Sequence, residues 1–330
     1  MDFTAPNLDY HALAPEIVLA ATFVVVLFVD LVGERMKPLL GTITGIGLLA
    51  SIIPVLTLAV DDADVRMMFA GGYVTDNFAL ALKALFLVSA YVVILLSTNY
   101  VAEGDYWEGE YYLMLLASTL GMVVMASSRD LVAIFVALEL LSIPAYMLAT
   151  WRKRDPKSNE AGLKYYLMGV FATAIMLYGM SLIFGATGAT NLSAIGAAFA
   201  SGDTVPVVTL GIVFVVAGFA FKVSAFPFHT WAPDTYEGAP TPITAFLSVS
   251  SKAAGFVAIG SLCLVGFYGR EEVWQPLFWI LAAGSMTLGN LVALRQTNIV
   301  RLFAYSSIAQ GGYIIAPLAV AGESLSAREE

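Results

Sequence analysis

Three charged residues, Glu139, Lys222 and Lys252, stand alone within long apolar stretches of this 330-residue chain. A charged side chain at the centre of a membrane helix costs about 2.5–3.5 kcal/mol on insertion scales, so the three together cost roughly 8–10 kcal/mol. A passive membrane anchor has no use for charges at these positions. One acid and two bases in this setting predict charge movement, with the side chains holding and releasing protons.

Glu139 lies nine residues into an apolar span predicted at 130–150, about 13 Å along a helix that rises ~1.5 Å per residue. Pro144 lacks the N–H that would bond the carbonyl oxygen of Leu140. A polar backbone group is therefore freed one residue from the carboxylate, and water can bridge the two where protein shields them from lipid. The alternative is an acid kept neutral by a hydrogen bond, which serves only helix packing.

Lys222 precedes the segment FPFHTWAPDTYEGAPTP, whose four prolines forbid a continuous regular helix. Pro227 cannot donate to the carbonyl oxygen of Val223, and it pushes Phe226 away from helical geometry. We therefore predict that the seventh span is broken close to its lysine. Broken helices at mid-membrane depth are where transporters expose backbone dipoles to ions and water. The alternative is a lysine that snorkels to the interface.

Lys252 lies about ten residues into another span, behind serine hydroxyls that either relay protons or satisfy their own backbone. Burial disfavours the charged form of a lysine, whereas a nearby carboxylate favours it. At about 6 Å and an effective dielectric constant of about 20, that attraction is roughly 2.8 kcal/mol. Moving one charge against 100 mV takes roughly 2.3 kcal/mol, so an acid–lysine pair is strong enough to drive pumping. Two lysines, which offer no oxygen ligand, favour H⁺ over Na⁺.

Two further lysines are secondary candidates. Lys164 lies near the inner end of the sixth span, where snorkelling and a functional role are equal alternatives. Lys83 lies only six residues into its span, about two helical turns from Asp76, so snorkelling to the outer interface is the default interpretation.

His229 follows the predicted helix break and lies near Asp234 and Glu237 in the sequence. It either feeds protons from the inner side or stabilises the break through a hydrogen bond. A polar patch in the tenth span is a further candidate for the relay and consists of Tyr305, Ser306 and Ser307.

The composition places these residues in a membrane protein. Hydrophobic residues make up 59% of the chain and charged residues 12%, and the mean hydropathy is +0.82, far outside the range of soluble domains. Ten apolar stretches are long enough to cross a hydrocarbon core of roughly 30 Å, and they lack the two-residue alternation of barrel strands. We predict an all-α polytopic fold with spans at approximately 15–33, 38–60, 77–100, 110–128, 130–150, 160–185, 205–226, 241–266, 273–294 and 298–321.

Charged residues orient the spans. With the N-terminus outside, eight Lys and Arg, among them Arg301, fall in inward loops and three in outward loops, which follows the positive-inside rule. The basic run WRKRDPK is then a topology anchor, with a binding surface as the alternative. The net charge of −9 arises mostly in solvated loops such as 61–64, and 186–204 is predicted as a longer outer loop. We expect the lipid bilayer around the chain and no nucleic-acid partner.

Soft metal ligands are scarce. Cys263 and two histidines are too few to hold an iron–sulfur cluster or a bis-His haem within the chain. Redox centres, where the function needs them, are expected on partners.

A weak internal similarity links GMVVMASSRDLVAIF (121–135) with GNLVALRQTNIVRLF (289–303). The segments share Gly, Val and Phe, and Asp130 aligns with Asn298. Transporters are often built from repeated units, although so few matches are weak evidence alone. At the same offset Glu139 aligns with Ser307, so the acid is not duplicated.

Three segments carry a resemblance to a known family: FKVSAFPFHTWAPDTYEGAPTPITAFLSVSSKAAGF (221–256), DLVAIFVALELLSIPAYML (130–148) and NIVRLFAYSSIAQGGY (298–313). Over its whole length the chain resembles subunit N of respiratory NADH–quinone oxidoreductase (complex I), known as subunit 2 in other lineages. The related subunits L and M usually show His-x-Glu-Ala-Pro-Thr-Pro where this chain has Tyr-Glu-Gly-Ala-Pro-Thr-Pro at 236–242. That difference favours subunit N over L, M and Mrp-type antiporter subunits.

The resemblance implies an antiporter-like inverted-repeat fold with a broken seventh helix. It implies helices 1–3 at 1–109, a first five-helix repeat with a proton half-channel at 110–266, and the start of a second, incomplete repeat at 267–330. It assigns the proton relay to Glu139, Lys164, Lys222 and Lys252.

The implied function is a proton-translocating membrane-arm subunit, coupled to quinone reduction elsewhere in the complex and without complete redox activity alone. NADH, FMN, iron–sulfur clusters and quinone are expected on partner subunits. The partners are then membrane subunits of the K, M, L, J and A types and the peripheral arm, in the plasma (inner) membrane of a bacterium. The alternatives are a subunit of an Mrp-type cation/proton antiporter and a structural bridging subunit.

Two departures from the family pattern matter. The family's exit-side lysine lies on a later helix, whereas this sequence stops at Glu330, soon after the tenth span. Gln310 stands where a His is common. We therefore expect either a C-terminally truncated sequence or an exit half supplied by another polypeptide.

Overall fold

The computed structural model describes residues 8–32, 34–60, 65–103, 108–201 and 206–321. The predicted acidic loop at 61–64 and the chain end at Glu330 lie outside the described residues. Two compact units are present, unit 1 from 1–152 and 240–250, and unit 2 from 153–239 and 251–330. The predicted division at 109 and 266 stays a prediction.

Helices dominate the described residues. In chain order they are α1 (Ala14–Val32), α2 (Leu40–Val60), α3 (Asn77–Glu103), α4 (Glu108–Ser127), α5 (Leu131–Ala149), α6 (Pro156–Thr187), α7 (Leu192–Ser201), α8 (Pro206–Lys222), α9 (Trp231–Gly238), α10 (Thr241–Phe246), α11 (Lys252–Ser261), α12 (Glu271–Ala293) and α13 (Ile299–Ile315). Short 3₁₀ or π turns lie at Glu34–Leu39, Phe69–Gly71, Leu247–Ser251, Leu262–Gly266 and Ala316–Val320.

The sheet content described is a single small hairpin in unit 1. Strands β1 (Arg66–Met68) and β2 (Tyr73–Thr75) pair antiparallel, with Arg66 opposite Thr75. The hairpin connects α2 to α3, and it therefore lies at the end of the unit where α3 begins.

The structure confirms an all-α multi-pass membrane fold. Eight of the described helical segments are long and apolar enough to cross a membrane. The predicted spans 205–226 and 298–321 form shorter helices of 17 residues each, α8 and α13. Proline accounts for both, because Pro227 follows the end of α8 and Pro317 lies in the 3₁₀ turn after α13.

The predicted break in the seventh span is confirmed. α8 ends at Lys222, and turns lead to α9 at Trp231. Ser224 has a φ of +56°, in the left-handed region that a continuous right-handed helix cannot include. The break therefore falls directly after the lysine.

The prediction of a loop across 186–204 is wrong in its central part, because that segment contains α7. Asn191 Oδ1 caps the helix by accepting from the Ser193 N–H at 3.0 Å. Leu192, Ile195 and Phe199 recur on one face, and all three are buried. The many Gly and Ala residues hid this amphipathic pattern.

The weak internal similarity corresponds to two helical hairpins of the same local design, α4–α5 in unit 1 and α12–α13 in unit 2. Asp130 caps α5 by accepting from two backbone N–H groups, and Asn298 caps α13 in the same way. Asp130 and Asn298 are 168 positions apart, and the same separation relates the close helix contacts at Gly121 and Gly289.

Gly121 on α4 and Gly289 on α12 allow the two hairpins to close. A Cβ at Gly121 would lie 2.7 Å from the carbonyl oxygen of Ala137, and one at Gly289 would lie 2.9 Å from that of Tyr305. The partner residues again differ by 305 − 137 = 168 positions. Small residues at such positions let helix backbones approach closely in a membrane.

We expect Gly121→Ala to destabilise the α4–α5 hairpin by about 1–3 kcal/mol, because the added methyl group forces two backbones apart. Gly185→Ala in α6 is the matched control, since a Cβ there has no heavy atom within 4 Å among the described residues. Thermal unfolding in detergent, followed by circular dichroism, measures both variants. An equal unfolding midpoint for the two would contradict the close contact.

Candidate functional site

Lys252 is buried in unit 2 at the first position of α11. Its side chain donates to the Ser307 hydroxyl at 2.7 Å and to the Ser307 carbonyl oxygen at 3.3 Å. The ammonium nitrogen also lies 5.7 Å from the centre of the Tyr236 ring, where a cation and the ring face attract one another. α11 and α13 therefore hold this lysine against a hydroxyl that can both accept and donate a proton.

Lys222, the last residue of α8, is only 4% exposed, which excludes the snorkelling alternative. Its aliphatic stem lies against Gly255 of α11, where an added Cβ would be 3.1 Å from Lys222 Cγ. Gly255 comes three positions after Lys252, and residues with this spacing share a helix face. The structure therefore brings the stems of the two predicted lysines to one face of α11.

Glu139 is partly buried near the middle of α5 in unit 1. Two residues further along, the carbonyl oxygen of Leu141 accepts a hydrogen bond of 2.7 Å from the Ser118 hydroxyl of α4. The predicted water bridge between the Leu140 carbonyl and the acid stays a prediction, and the contact with Leu141 is a different one. The interpretation based on Pro144 missed Ser118, because a serine on a neighbouring helix leaves no signal in the local sequence.

Lys164 belongs to an alternating chain of charges in unit 2. Its ammonium group lies 2.7 Å from Glu160 and 2.7 Å from Asp234, and the side chain is 43% exposed. Arg301 pairs with Asp234 at 2.7 Å and with Glu237 at 3.0 Å. The charges join α6, α9 and α13 around a cavity of about 150 Å³.

The sequence identified Lys164 but not Arg301 or Glu160 as members of this charged chain. Glu160 was detectable, because it precedes Lys164 by four positions, a spacing that favours ion pairs on helices. From the sequence, Arg301 is predicted only as a positive charge of an inward loop. Its pairing depends on the fold of α9 against α13.

His229 lies between α8 and α9 and is 7% exposed. Its ring stacks on Phe226, with the ring centres 5.9 Å apart. This contact packs the ring against the break, and both predicted roles of His229 stay predictions. Asp234 and Glu237, its neighbours in the sequence, both bind Arg301 instead.

The polar patch at 305–307 is divided by the structure. Ser307 contacts Lys252, while Tyr305 and Ser306 are partly buried positions on α13. Gln310, one turn further along, is exposed. Of this patch, Ser307 therefore has the direct link to a predicted relay lysine.

The snorkelling interpretation of Lys83 is wrong. Its side chain is 0% exposed and lies 2.7 Å from a carboxylate oxygen of Glu16 in α1. The sequence does contain a signal for this pair, because Glu16 is an isolated acid in the first turn of an apolar helix.

A search of the described ranges found no group of three or more His, Cys, Asp or Glu residues arranged to hold a metal ion.

The described residues combine buried lysines and a broken helix in a multi-pass membrane fold. Residues 128–327 match the family model described as NADH:quinone oxidoreductase/Mrp antiporter, transmembrane. The match covers more than half of the chain, and the chain belongs to this family.

Relatives with subunit names support the same placement. The chain is 44% identical over 312 residues to NAD(P)H-quinone oxidoreductase subunit 2 of Synechococcus sp. (strain CC9902), covering 94% of this chain and 59% of that protein. It is 47% identical over 266 residues to NADH-quinone oxidoreductase subunit N of Moorella thermoacetica, covering 81% of this chain and 56% of the relative. The chain thus spans less than two thirds of these relatives.

Solved structures have the same fold. A chain of respiratory complex I from Thermus thermophilus superposes with a TM-score of 0.77 at 34% identity, covering 92% of this chain and 64% of that chain. A chain of the Mrp complex from Dietzia sp. DQ12-45-1b gives a TM-score of 0.83 at 22% identity, covering 95% and 59%. The second similarity concerns the fold alone.

We expect Asp234→Asn to destabilise unit 2 by roughly 1–3 kcal/mol, because both Lys164 and Arg301 lose a charged acceptor. Glu160→Gln removes only the exposed pair within α6, worth about 0.5 kcal/mol. Thermal unfolding in detergent compares the two variants. Equal losses would mean that Asp234 does not join α6 to α13.

Proposed function

We propose that this chain is a proton-translocating membrane-arm subunit of an NADH:quinone oxidoreductase. The observation that carries the proposal is the pair of buried lysines at α11. Lys252 donates to the Ser307 hydroxyl, and the stem of Lys222, which belongs to α8, packs against the same face of α11. Lysines enclosed in this way hold protons without contact with bulk water. The family membership and the relatives named as subunit N support the same function.

In the proposed relay, Lys252 in its ammonium form donates to Ser307 and becomes a neutral amine when the proton leaves. The hydroxyl passes a proton by accepting one and releasing its own, so it returns to its starting form. Lys222 stands at the helix break, a setting in which transporters expose backbone dipoles to ions and water. Glu139 is the acid of the relay, and Lys164 is a peripheral member tied to Asp234.

We also propose the setting of this subunit. NADH, FMN, iron–sulfur clusters and quinone belong to partner subunits, and the chain itself carries no complete redox activity. Its partners are membrane subunits of the K, M, L, J and A types and the peripheral arm. The location is a bacterial plasma membrane, with the N-terminus outside.

We expect Lys222→Met and Glu139→Gln, each in the assembled complex, to lower the number of protons moved per NADH oxidised. The reason is that each variant removes one titratable group from the relay. Lys153→Gln is the matched control, because Lys153 is an exposed lysine in a turn. The ratio is measured in proteoliposomes with a pH-sensitive dye beside the rate of NADH oxidation.

Unchanged ratios in both assembled variants would overturn the proposal in favour of a bridging subunit. Transport that depends on Na⁺ in place of H⁺ would favour the Mrp-type antiporter reading.

Ser307 offers a more specific test of the relay. We expect Ser307→Ala to lower the pumping ratio, because Lys252 loses its hydroxyl partner, and Ser307→Thr to restore it. Ser306→Ala on the same helix turn controls for the loss of a serine. Equal pumping by Ser307→Ala and Ser307→Thr would exclude the hydroxyl from the relay.

A further inference from the structure

Tyr236 of α9 lies directly against the buried Lys252, although it is absent from the relay predicted from the sequence. Both residues belong to unit 2. The Lys252 ammonium nitrogen lies over the Tyr236 ring, 5.7 Å from its centre, within the roughly 6 Å over which the negative face of an aromatic ring attracts a cation. The Tyr236 side chain also lies beside that of Ser307, the hydroxyl partner of Lys252. Each of the three side chains therefore contacts the other two.

Lys252 is held by neutral groups in the part of the chain that the structure describes. Its polar contacts there are the Ser307 hydroxyl, the Ser307 carbonyl oxygen and the Tyr236 ring. The attraction between a ring face and a cation is stronger where water is excluded, and Tyr236 and Lys252 are only 3% and 4% exposed. The ring therefore contributes substantially to the support of the charged lysine.

Other contacts fix α9 on either side of Tyr236. The two carboxylates of this helix pair with Arg301 of α13, at 2.7 and 3.0 Å. At the start of the helix, Trp231 Nε1 donates to the Phe221 carbonyl oxygen at 2.9 Å. The Trp231 ring then meets the Tyr236 ring edge to face, with the ring centres 6.1 Å apart. Because α9 is already held in place, the Tyr236 ring loses little further freedom when it meets the ammonium.

A buried tyrosine can also serve packing alone. Packing requires volume and apolar surface, which a fluorinated ring of nearly the same shape still provides. A role toward Lys252 also requires the negative face of the ring, because only that face attracts an ammonium group. The two roles therefore differ in whether the electron density of the ring matters, and in whether its effect depends on the charge of Lys252.

We propose that Tyr236 is a positioning residue of the relay, and that its ring face holds the Lys252 ammonium beside the Ser307 hydroxyl. The ring attracts Lys252 while the lysine is charged and loses this attraction when the proton leaves. Tyr236 thus acts through Lys252 and takes up no proton itself. Only the effect of this contact on pumping rests on the proposed function.

A series of fluorinated rings in the full chain tests the contact. Phenylalanine, monofluorophenylalanine and trifluorophenylalanine at position 236 keep the ring and progressively withdraw negative charge from its face. We expect the thermal unfolding midpoint in detergent, followed by circular dichroism, to fall stepwise by about 1–4 °C in all. The same series in a Lys252→Met chain should give a smaller slope, because the cation is absent.

The comparison of the two backgrounds removes the contribution of the Trp231 contact, which both share. Equal slopes in the two backgrounds would overturn the proposal, since the ring would then respond to packing alone. Phe278 is a second control, because its ring is buried and packs on Trp274. A slope at position 278 as steep as that at position 236 would likewise refute the contact, and this control does not need the Lys252 variant to fold.

Pumping by the assembled complex shows how the contact is used. We expect Tyr236→Phe, which keeps the ring, to retain most of the wild-type number of protons moved per NADH oxidised. Tyr236→Leu should lower that number, with trifluorophenylalanine between the two. An equal loss in Tyr236→Phe and Tyr236→Leu would assign the effect to the hydroxyl and overturn the role of the ring.

Failure of the proposed function would give a different pattern. If the Lys252→Met complex pumps at the wild-type ratio, Lys252 is no part of the relay and Tyr236 has no role in pumping, whatever the unfolding slopes show. If Lys252→Met lowers the ratio while every ring at position 236 leaves it unchanged, the proposed function stands and the positioning role of Tyr236 is refuted.

Discussion

A charge within a membrane must be enclosed by protein and given a polar partner, and the rest of this structure depends on meeting that requirement. Lys252 receives a serine, and Lys83 receives a carboxylate and a phenol. The two solutions have different chemical properties. A hydroxyl leaves the lysine nearly free to change its charge, whereas a carboxylate holds the proton on the lysine by direct attraction. The partner of each lysine therefore decides how readily that lysine exchanges its proton.

Enclosure of a long side chain requires space, and the chain supplies it with small residues and a broken helix. Gly255 admits the stem of Lys222, because a methyl group there would meet it at 3.1 Å. At the end of α8, the carbonyl oxygens of Phe219, Ala220 and Phe221 accept from the backbone of the turn that follows, and Phe221 also accepts from the Trp231 indole. The segment that interrupts the helix thus also satisfies the polar groups at its end.

The sequence predicted what depends on local chemistry. Long apolar runs identified the spans, and the prolines placed the break after Lys222. Prediction from the sequence failed where the contacts of a residue depend on a partner far away in the chain. Lys83 was interpreted as snorkelling because Glu16 is 67 positions away, and Arg301 was interpreted as a loop charge because Asp234 lies on another helix. The many Gly and Ala residues likewise concealed α7, whose apolar face is buried by the fold.

The 168-residue repeat explains why one duplicated hairpin can serve two chemistries. The caps Asp130 and Asn298, and the close contacts at Gly121 and Gly289, preserve the hairpin in both copies. The position of Glu139 is occupied by Ser307 in the second copy. In the proposed relay these two positions have different roles. A carboxylate favours the protonated form of basic groups near it, whereas a hydroxyl passes a proton on without holding it. In this proposal, a difference at one position of two similarly built hairpins therefore separates the group that sets the charge from the group that conducts the proton.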